Sequence, residues 1–334
     1  MSKNLEKNIS DIAINTPSSD TVNVDNLDDL FVLQPHDWKD SERLDVTPYS
    51  YWKSVFRIFI RKPGAIIAIL SLIILIGGSI IIPMFNPIPF DEFFSGSIDL
   101  IDLAPSSSHI WGTDGFGRDL LYVVWGGAKK SIILALISSL INTFVGVLIG
   151  LVWGYVRKID KIMIEVYNFI VNIPSLLIYM LLSTLLTVNK VGTPEFRLVL
   201  SLCMTGWLGM ARFVRNQILI INNREYNVAS KTLGTPGIRI MSKNLLPFVL
   251  SVIITEISLM IPSMISMECS LSFFGLGLPN NSISIGAALI NGMNRFSDYP
   301  WQLIYPAIIL SFIILAFFLL GVSLSDALDP KKHR

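Results

Sequence analysis

Charged side chains are scarce in this chain. Its 26 basic and 25 acidic residues make up 15% of 334 positions, against roughly 25% in soluble domains. The net charge of +1 excludes the strongly basic surface that a nucleic-acid partner demands. There are only two cysteines, Cys203 and Cys269. They make no disulfide framework and no thiolate metal site, and both read as buried, inert thiols. The phosphate-cradling string G-x-x-x-x-G-K-[S/T] is missing too. Lys129-Lys130-Ser131 follows Gly126-Gly127 with the wrong glycine spacing. Energy from ATP would therefore have to come from another subunit. No apolar core stands close to Met1, so a cleavable signal peptide is not expected.

What fills the chain instead is apolar: 52% of residues are hydrophobic and the mean hydropathy is +0.59. About 20 apolar residues are needed to cross a bilayer as a helix, because lipid offers backbone amides no partner. Gly64–Met84, Ile132–Val156, Val166–Val188 and Leu303–Leu324 meet this without a single charge. Leu198–Met210 is shorter and continues past Arg212 and Arg215 to Ile221, while Leu245–Met267 is long enough but holds Glu256. The expected fold class is an all-α membrane protein with six transmembrane helices. Asn168, Asn172 and Pro174 in the third span predict packing and a kink. Arg212 and Arg215, three apart, are expected to snorkel to the inner headgroups.

Lysine and arginine asymmetry sets the orientation. With both termini inside, the inner segments collect Arg57, Arg61, Lys62, Arg157, Lys158, Lys161, Arg224, Lys231, Arg239, Lys243, Lys331, Lys332 and Arg334. The outer loops keep Arg118, Lys129, Lys130, Lys190, Arg197 and Arg295, a bias of about two to one. The large outer loops then run Asn86–Lys130 and Cys269–Pro300. Residues 1–45, rich in Asp, Asn and Ser, read as a disordered cytosolic tail. Residues 46–63 read as an amphipathic interfacial helix, with Trp52, Val55, Phe56 and Phe59 on one face and Lys53, Arg57 and Arg61 interleaved. The bland alternative is a basic stop-transfer flank. Residues 64–330 form the transmembrane domain.

Three polar segments interrupt the apolar pattern. Glu225–Pro247, EYNVASKTLGTPGIRIMSKNLLP, lies between two spans and carries three basic residues. It predicts a helix over Asn227–Leu233, a break at Gly234-Thr235-Pro236-Gly237, and a second helix to Leu246, since glycine and proline supply the break. In the first outer loop, His109 to Asp119 reads HIWGTDGFGRD; its Gly/Asp density marks turns, and Asp114, Arg118 and Asp119 can fix the loop as a charge cluster. One His with scattered carboxylates does not make a metal-ligand set. At the end of the fifth span stands ECSLSFFGLG, Glu268 to Gly277, with Gly286 following in a Ser/Asn-rich loop.

Together these segments resemble the C-type permease subunits of the peptide and nickel ABC importer family. The Glu225–Pro247 elbow is similar to the EAA loop, with Val228-Ala229-Ser230 at the triplet, Gly234 at its glycine and Leu246-Pro247 after it; the triplet's Glu is absent. The outer loop matches H-x-x-G-T-D-x-x-G-R-D through Gly112, Thr113, Asp114, Gly117, Arg118 and Asp119, followed by Gly126-Gly127 and Ser131. Glu268 to Gly277 matches E-x-x-L-S-F-L-G-L-G, with Ile285-Gly286 where the family has Trp-Gly. The ending Gly321 to Pro330 resembles G-D-x-L-R-D-x-L-D-P, with Val322 and Ser325 replacing an Asp and an Arg. The resemblance covers about residues 50–330 and implies a type I ABC importer permease fold. It implies a B-type permease partner, two cytosolic ATPase subunits and an extracytoplasmic solute-binding protein. It also implies a place in the bacterial cell membrane, with ATP and magnesium held by the partners and no cofactor or metal in this chain.

On this reading the ATPase-coupling residues are Glu225, Ala229, Ser230, Gly234, Leu246 and Pro247. The candidate solute path holds Glu256, Glu268, Gly275 and Gly277. Glu256 is a charge inside a span, which usually faces a cavity or a partner; its alternative is a hydrogen-bonded Glu at the permease–permease interface. The expected function is uptake of short peptides as a non-catalytic subunit. Nickel import is the rival within the family. An ion-driven secondary transporter using Glu256 as a proton site would need an inverted repeat that the sequence does not display. A membrane scaffold would have no use for an elbow matched to an ATPase groove.

Overall fold

The computed structural model describes residues 51–85, 100–279 and 282–328. The expected tail at 1–45, the start of the first outer loop and the Asp329-Pro330 ending lie outside the described residues. What is described is helical, with one isolated antiparallel bridge, Thr113 to Asp119. In chain order the helices are α1 (Tyr51–Arg61), α2 (Pro63–Phe85), α3 (Leu120–Tyr155), α4 (Arg157–Val171), α5 (Ser175–Val188), α6 (Pro194–Asn222) and α7 (Glu225–Thr232). Then come α8 (Gly237–Arg239), a π-helical turn (Ile240–Leu245), α9 (Leu246–Phe273), α10 (Ile285–Asn294) and α11 (Trp301–Leu328).

Five segments are long and apolar enough to cross a membrane: α2, α3, α6, the continuous Gly237–Phe273 and α11. The pair α4 and α5 makes a sixth crossing if taken as one span, bent by 80° at its break. The third span is therefore broken rather than kinked, because Pro174 has no amide to donate and Asn172 closes α4. The fourth span is longer than its apolar core suggests. Thr193 caps α6 through its side chain, with Pro194 at the first turn.

Two helices are longer than a bilayer's hydrocarbon core, about 30 Å, requires. α3 has 36 residues, about 54 Å at helical rise, and begins at Leu120 because Asp119 accepts the amide of Leu121 at 2.9 Å. Residues 120–130, expected as loop, are thus helix. At the other end of the molecule, Gly237–Phe273 runs as one 37-residue helix. The expected second elbow helix does not stop at Leu246 but passes through the π turn into the fifth span. The second outer loop also contains a helix that the sequence does not announce, α10, capped by Ser284 on the amide of Ala287.

The tightest packing joins α3 to α6. Gly146, Gly150 and Gly154, four apart, bring α3 so close to α6 that a Cβ would lie 2.6–2.7 Å from Met210, Ala211 and Ile218. A core of α3, α9 and α11 side chains, including Val124, Trp125, Ile265, Leu271, Ile313 and Phe317, fills the half that carries residues 100–119. A second cluster around Met210, Val214, Ile218, Ile240 and Val249 fills the half that carries the elbow at 225–245. On α1, Val55, Ile58 and Phe59 dock on Ala327 and Leu328 at the end of α11, while Phe56 stays exposed. Lys62 reaches Asp326 at 2.8 Å. The expected amphipathic face is thus partly taken up by the bundle; the Trp52 side chain lies outside the described residues.

Candidate functional site

The inner elbow is built from the end of α6, α7, the turn after it and the start of the Gly237–Phe273 helix. Asn227 is its pin. Fully buried, its Nδ2 donates to the carbonyl of Ile221 at 2.9 Å and its Oδ1 accepts from Asn244 Nδ2 at 3.2 Å. Asn244 also reaches Ser230 Oγ at 3.4 Å, so α7 is tied to the π turn along its inner side. Lys231 donates to Asn222 Oδ1 at 2.7 Å and sits over the Tyr155 ring at 5.3 Å, joining α7 to the ends of α6 and α3. Partial burial, aided by the charge of Arg157, lowers the pKa of Lys231 below the ordinary lysine value.

The turn after α7 depends on Gly234. Its φ of +77° is left-handed, which a Cβ disfavours. The amide of Gly234 donates to Lys231 at 3.0 Å and that of Thr235 to Ser230 at 3.1 Å, the paired bonds of a Schellman close. The outward side carries large apolar side chains, Leu233 at 84% exposed and Ile238 at 77%, next to the exposed Lys231, Thr232 and Arg239. Of the predicted coupling residues, Ala229, Ser230 and Gly234 share this hook, and Glu225 is exposed in the first turn of α7. Leu246 and Pro247 lie behind it at the start of α9, joined to α7 by the stacking of Tyr226 on Phe248 at 5.8 Å. The arrangement is a stiff hook with Leu233 and Ile238 exposed at its tip.

The outer motif has the opposite character. Gly112, Thr113, Asp114, Gly117, Arg118 and Asp119 are all buried. Asp114 accepts the amides of Phe116 and Arg118 at 2.9 Å each and receives the Arg118 guanidinium at 2.8 and 2.7 Å. Thr113 Oγ1 donates to the carbonyl of Leu100 at 2.6 Å and accepts the amide of Leu103 at 2.8 Å. Asp119 Oδ2 lies 2.9 Å from His109 Nδ1. Gly112, at φ +75°, passes so close to Trp301 that a Cβ would lie 2.9 Å from its indole nitrogen. Gln302 Nε2 donates to the carbonyl of Thr113 at 2.9 Å and to Asp102 at 2.7 Å, and Arg295 pairs with Asp102. These polar groups are engaged in closing a cap over the outer ends of α3 and α11. Among the described residues no group of three or more His, Cys, Asp or Glu is placed to hold a metal ion.

The predicted path residues separate. Glu268 does not face a path: it is 1% exposed, enclosed where α3, α9 and α10 meet. Ser131 Oγ donates to it at 2.9 Å and Ser272 Oγ at 3.3 Å, and Ser131 also accepts the amide of Ile285 at 3.3 Å. Gly286 packs against it, since a Cβ there would lie 2.9 Å from Glu268 Oε1. Ile285-Gly286 is therefore an internal packing element rather than a feature of an outward-facing loop. Gly275 closes α9 at the surface in a left-handed turn, and Gly277 is held against the Ser272 backbone. Glu256 alone remains partly accessible in mid-span.

One cluster is not anticipated by the sequence. Arg215 does not reach for headgroups; its Nε and Nη2 grip Asp160 at 2.7 and 2.8 Å, and Trp153 Nε1 adds a third donor at 2.8 Å. Arg212 stacks on Tyr167 at 4.7 Å. The Arg215–Asp160 pair binds the bent α4 to α6 across 55 residues of sequence, a separation no local pattern reveals.

The sequence is similar to those of known transport proteins. Residues 146–334 match the family described as binding-protein-dependent transport system inner membrane component. Residues 50–105 match the N-terminal transmembrane domain of oligopeptide transport permease C. The oligopeptide transport system permease protein AmiD of Streptococcus pneumoniae is 38% identical, over 88% of this chain and 94% of its own length. The dipeptide transport system permease protein DppC of Bacillus subtilis is 35% identical, over 92% of this chain and 94% of its own. The oligopeptide transport system permease protein OppC of Escherichia coli is 32% identical, over 87% and 95%.

Proposed function

This chain belongs to the family of binding-protein-dependent transport system inner membrane components, and from that premise we propose that it forms half of the translocation path of an ATP-driven importer of short peptides. The observation that carries this reading is the elbow: a hook pinned by Asn227 and Asn244, with Leu233 and Ile238 exposed at its tip, and continuous through Gly237–Phe273 with a membrane span. Such a hook fits a groove on a cytosolic ATPase. Closure of paired ATPases on ATP pushes α7, and a continuous helix converts that push into a tilt of α9. The contacts of Lys231 with Asn222 and Tyr155 carry the same displacement into α6 and α3. The chain itself is the non-catalytic subunit. ATP and magnesium belong to the two ATPases, the second half of the path to a B-type permease, and delivery of solute to an extracytoplasmic binding protein. The cargo is assigned as peptide because oligopeptide and dipeptide permeases are its relatives.

The reading places the chain in the bacterial cell membrane with both termini and the elbow cytoplasmic. A cysteine at Ser107 labels from outside sealed cells and one at Thr235 does not; labelling at Thr235 inverts the topology. Function is tested by reconstituting the full complex in liposomes with binding protein outside and ATP within. Uptake of labelled tri- and tetrapeptides that stops without ATP is expected. Uptake that ignores ATP but collapses with a proton gradient would establish a secondary transporter, and uptake of nickel without peptide would change the cargo.

A further inference from the structure

Glu256 lies in a span, yet it has no hydrogen bond or ion pair with any described residue. Of the spans packed on α9, Ile132–Val156 of α3, Ser175–Val188 of α5 and 301–325 of α11 contain no Asp, Glu, Lys or Arg, while α6 carries Arg212 and Arg215, engaged by Tyr167 and Asp160. It is partly accessible, and it does not stand alone. Ser263, Met267, Ser270 and Phe274 follow it at steps of seven, four, three and four, so they share one helical face. All four remain at least partly accessible. The accessible face of α2 is different: Ile66, Ile67, Leu70, Ile73, Ile74 and Ile81 are all exposed, the surface of a helix bathed in lipid. The hydroxyls of Ser263 and Ser270 donate back to Leu259 and Ser266 of their own helix, so it is the carboxyl group, an ionisable group costly in lipid, that makes this face unsuited to it. At its outer end this face opens into a cleft of about 420 Å³ lined by Leu176, Ser266, Cys269, Ser270, Phe273 and Phe274, within the size range of ligand pockets.

We propose that the Glu256–Ser263–Ser270 face of α9 is a cation-selecting wall of the solute path, with Glu256 receiving the ammonium or guanidinium of a positively charged peptide. This rests on the peptide-import reading for its cargo, but not for its location. The carboxylate supplies the charge, and the serines supply hydroxyls to a chain passing between Glu256 and the outer cleft. Glu256 is a specificity residue: a mobile cation in the path gains from it, while a neutral peptide passes without using it.

Two measurements on the assembled complex test the idea. In a Cys203→Ala, Cys269→Ala background, Ser263→Cys is treated with water-soluble methanethiosulfonates, one an ammonium and one a sulfonate. The ammonium reagent is expected to react about fivefold faster relative to the sulfonate, the scale of a solvated ion pair, and Glu256→Gln brings the ratio to near unity while Glu256→Asp keeps it. In uptake, Glu256→Gln lowers transport of a lysine-containing tripeptide about fivefold relative to trialanine, at equal complex abundance. An unreactive Ser263→Cys, or a charge ratio indifferent to Glu256→Gln, overturns the proposal and leaves Glu256 an interface residue. A parallel loss of cationic, neutral and anionic peptides in Glu256→Gln does the same. If the labelling preference holds but wild type carries no peptide of any charge, the wall stands and the peptide assignment falls.

Discussion

The outer cap and the inner elbow are both polar, glycine-bearing segments mounted on helices longer than a bilayer crossing requires, yet they turn their side chains in opposite directions. In the cap, Asp114, Arg118, Thr113 and Asp119 are buried and bonded to one another or to Leu100, Leu103, His109, Leu121 and Gln302. In the elbow, Asn227 and Asn244 face inward as a backing, and Leu233 and Ile238 are left outside beside the exposed Lys231 and Arg239. A motif whose polar atoms are satisfied within the chain is scaffold. One that holds large apolar side chains out in water is built to be covered. Family resemblance alone does not make this distinction, because both segments carry it equally well.

The largest expected effect breaks the cap. Asp114→Ala removes the carboxylate that the buried Arg118 guanidinium donates to and frees two backbone amides. Removing one partner of a buried pair costs about 3–5 kcal/mol, so folded protein recovered from the membrane falls sharply and its melting temperature drops. A variant of normal stability but impaired transport would make the cap a working site and abolish the contrast.

Next comes the elbow's pin. Asn227→Ala removes two hydrogen bonds in a fully buried position, leaving the carbonyl of Ile221 to the amide of Arg224 and the side-chain nitrogen of Asn244 to Ser230 alone, a local loss of about 1–3 kcal/mol. The bundle should stay folded and assembled, while ATP hydrolysis in the reconstituted complex proceeds with less transport per turnover. Gly234→Val is gentler. A Cβ there meets no neighbouring atom, so the cost is the left-handed backbone alone, about 1–2 kcal/mol. It too should uncouple hydrolysis from transport; wild-type coupling in both variants would mean that the hook is not a lever.

How much of this is legible in the sequence follows from the range of each interaction. The spans, a bend at Pro174 (the sequence predicts a kink where the helix breaks) and the glycine-governed turn of the elbow depend on neighbours along the chain, and hydrophobic runs with glycine and proline display them. The capping of α3 by Asp119 is equally local, but it hides inside a string dense in turn residues, so hydropathy starts the helix at Ile132 instead of Leu120. The Gly146-Gly150-Gly154 repeat is visible too, yet its spacing carries no sign of which helix it will meet. Asp160 with Arg215, and Glu268 with Ser131, join residues 55 and 137 apart. Only the three-dimensional path of the chain brings them together. Hydropathy also misplaces Glu268, since a carboxylate at the end of a span looks alike whether it is enclosed by serines or faces a path.

The smallest effect on folding belongs to the elbow's tip, and it sharpens the comparison most. Leu233 is 84% exposed and buries little apolar area within this chain, so Leu233→Ser should change stability by no more than about 0.5 kcal/mol. If an ATPase groove covers that side chain, the same substitution removes about 1.5–3 kcal/mol of apolar burial from the docked state, which is about tenfold or more in Kd. Ile238→Ser, on the same exposed side, should act alike, and the double variant should weaken docking further at an unchanged melting temperature. The measurement is a titration of the ATPase subunits against the permease pair in nanodiscs, run beside thermal melts of the same samples. Stability and affinity then separate: cap variants move the melt, and tip variants move only the binding curve. Unchanged affinity in the double variant would show that the exposed tip is not where the ATPase sits.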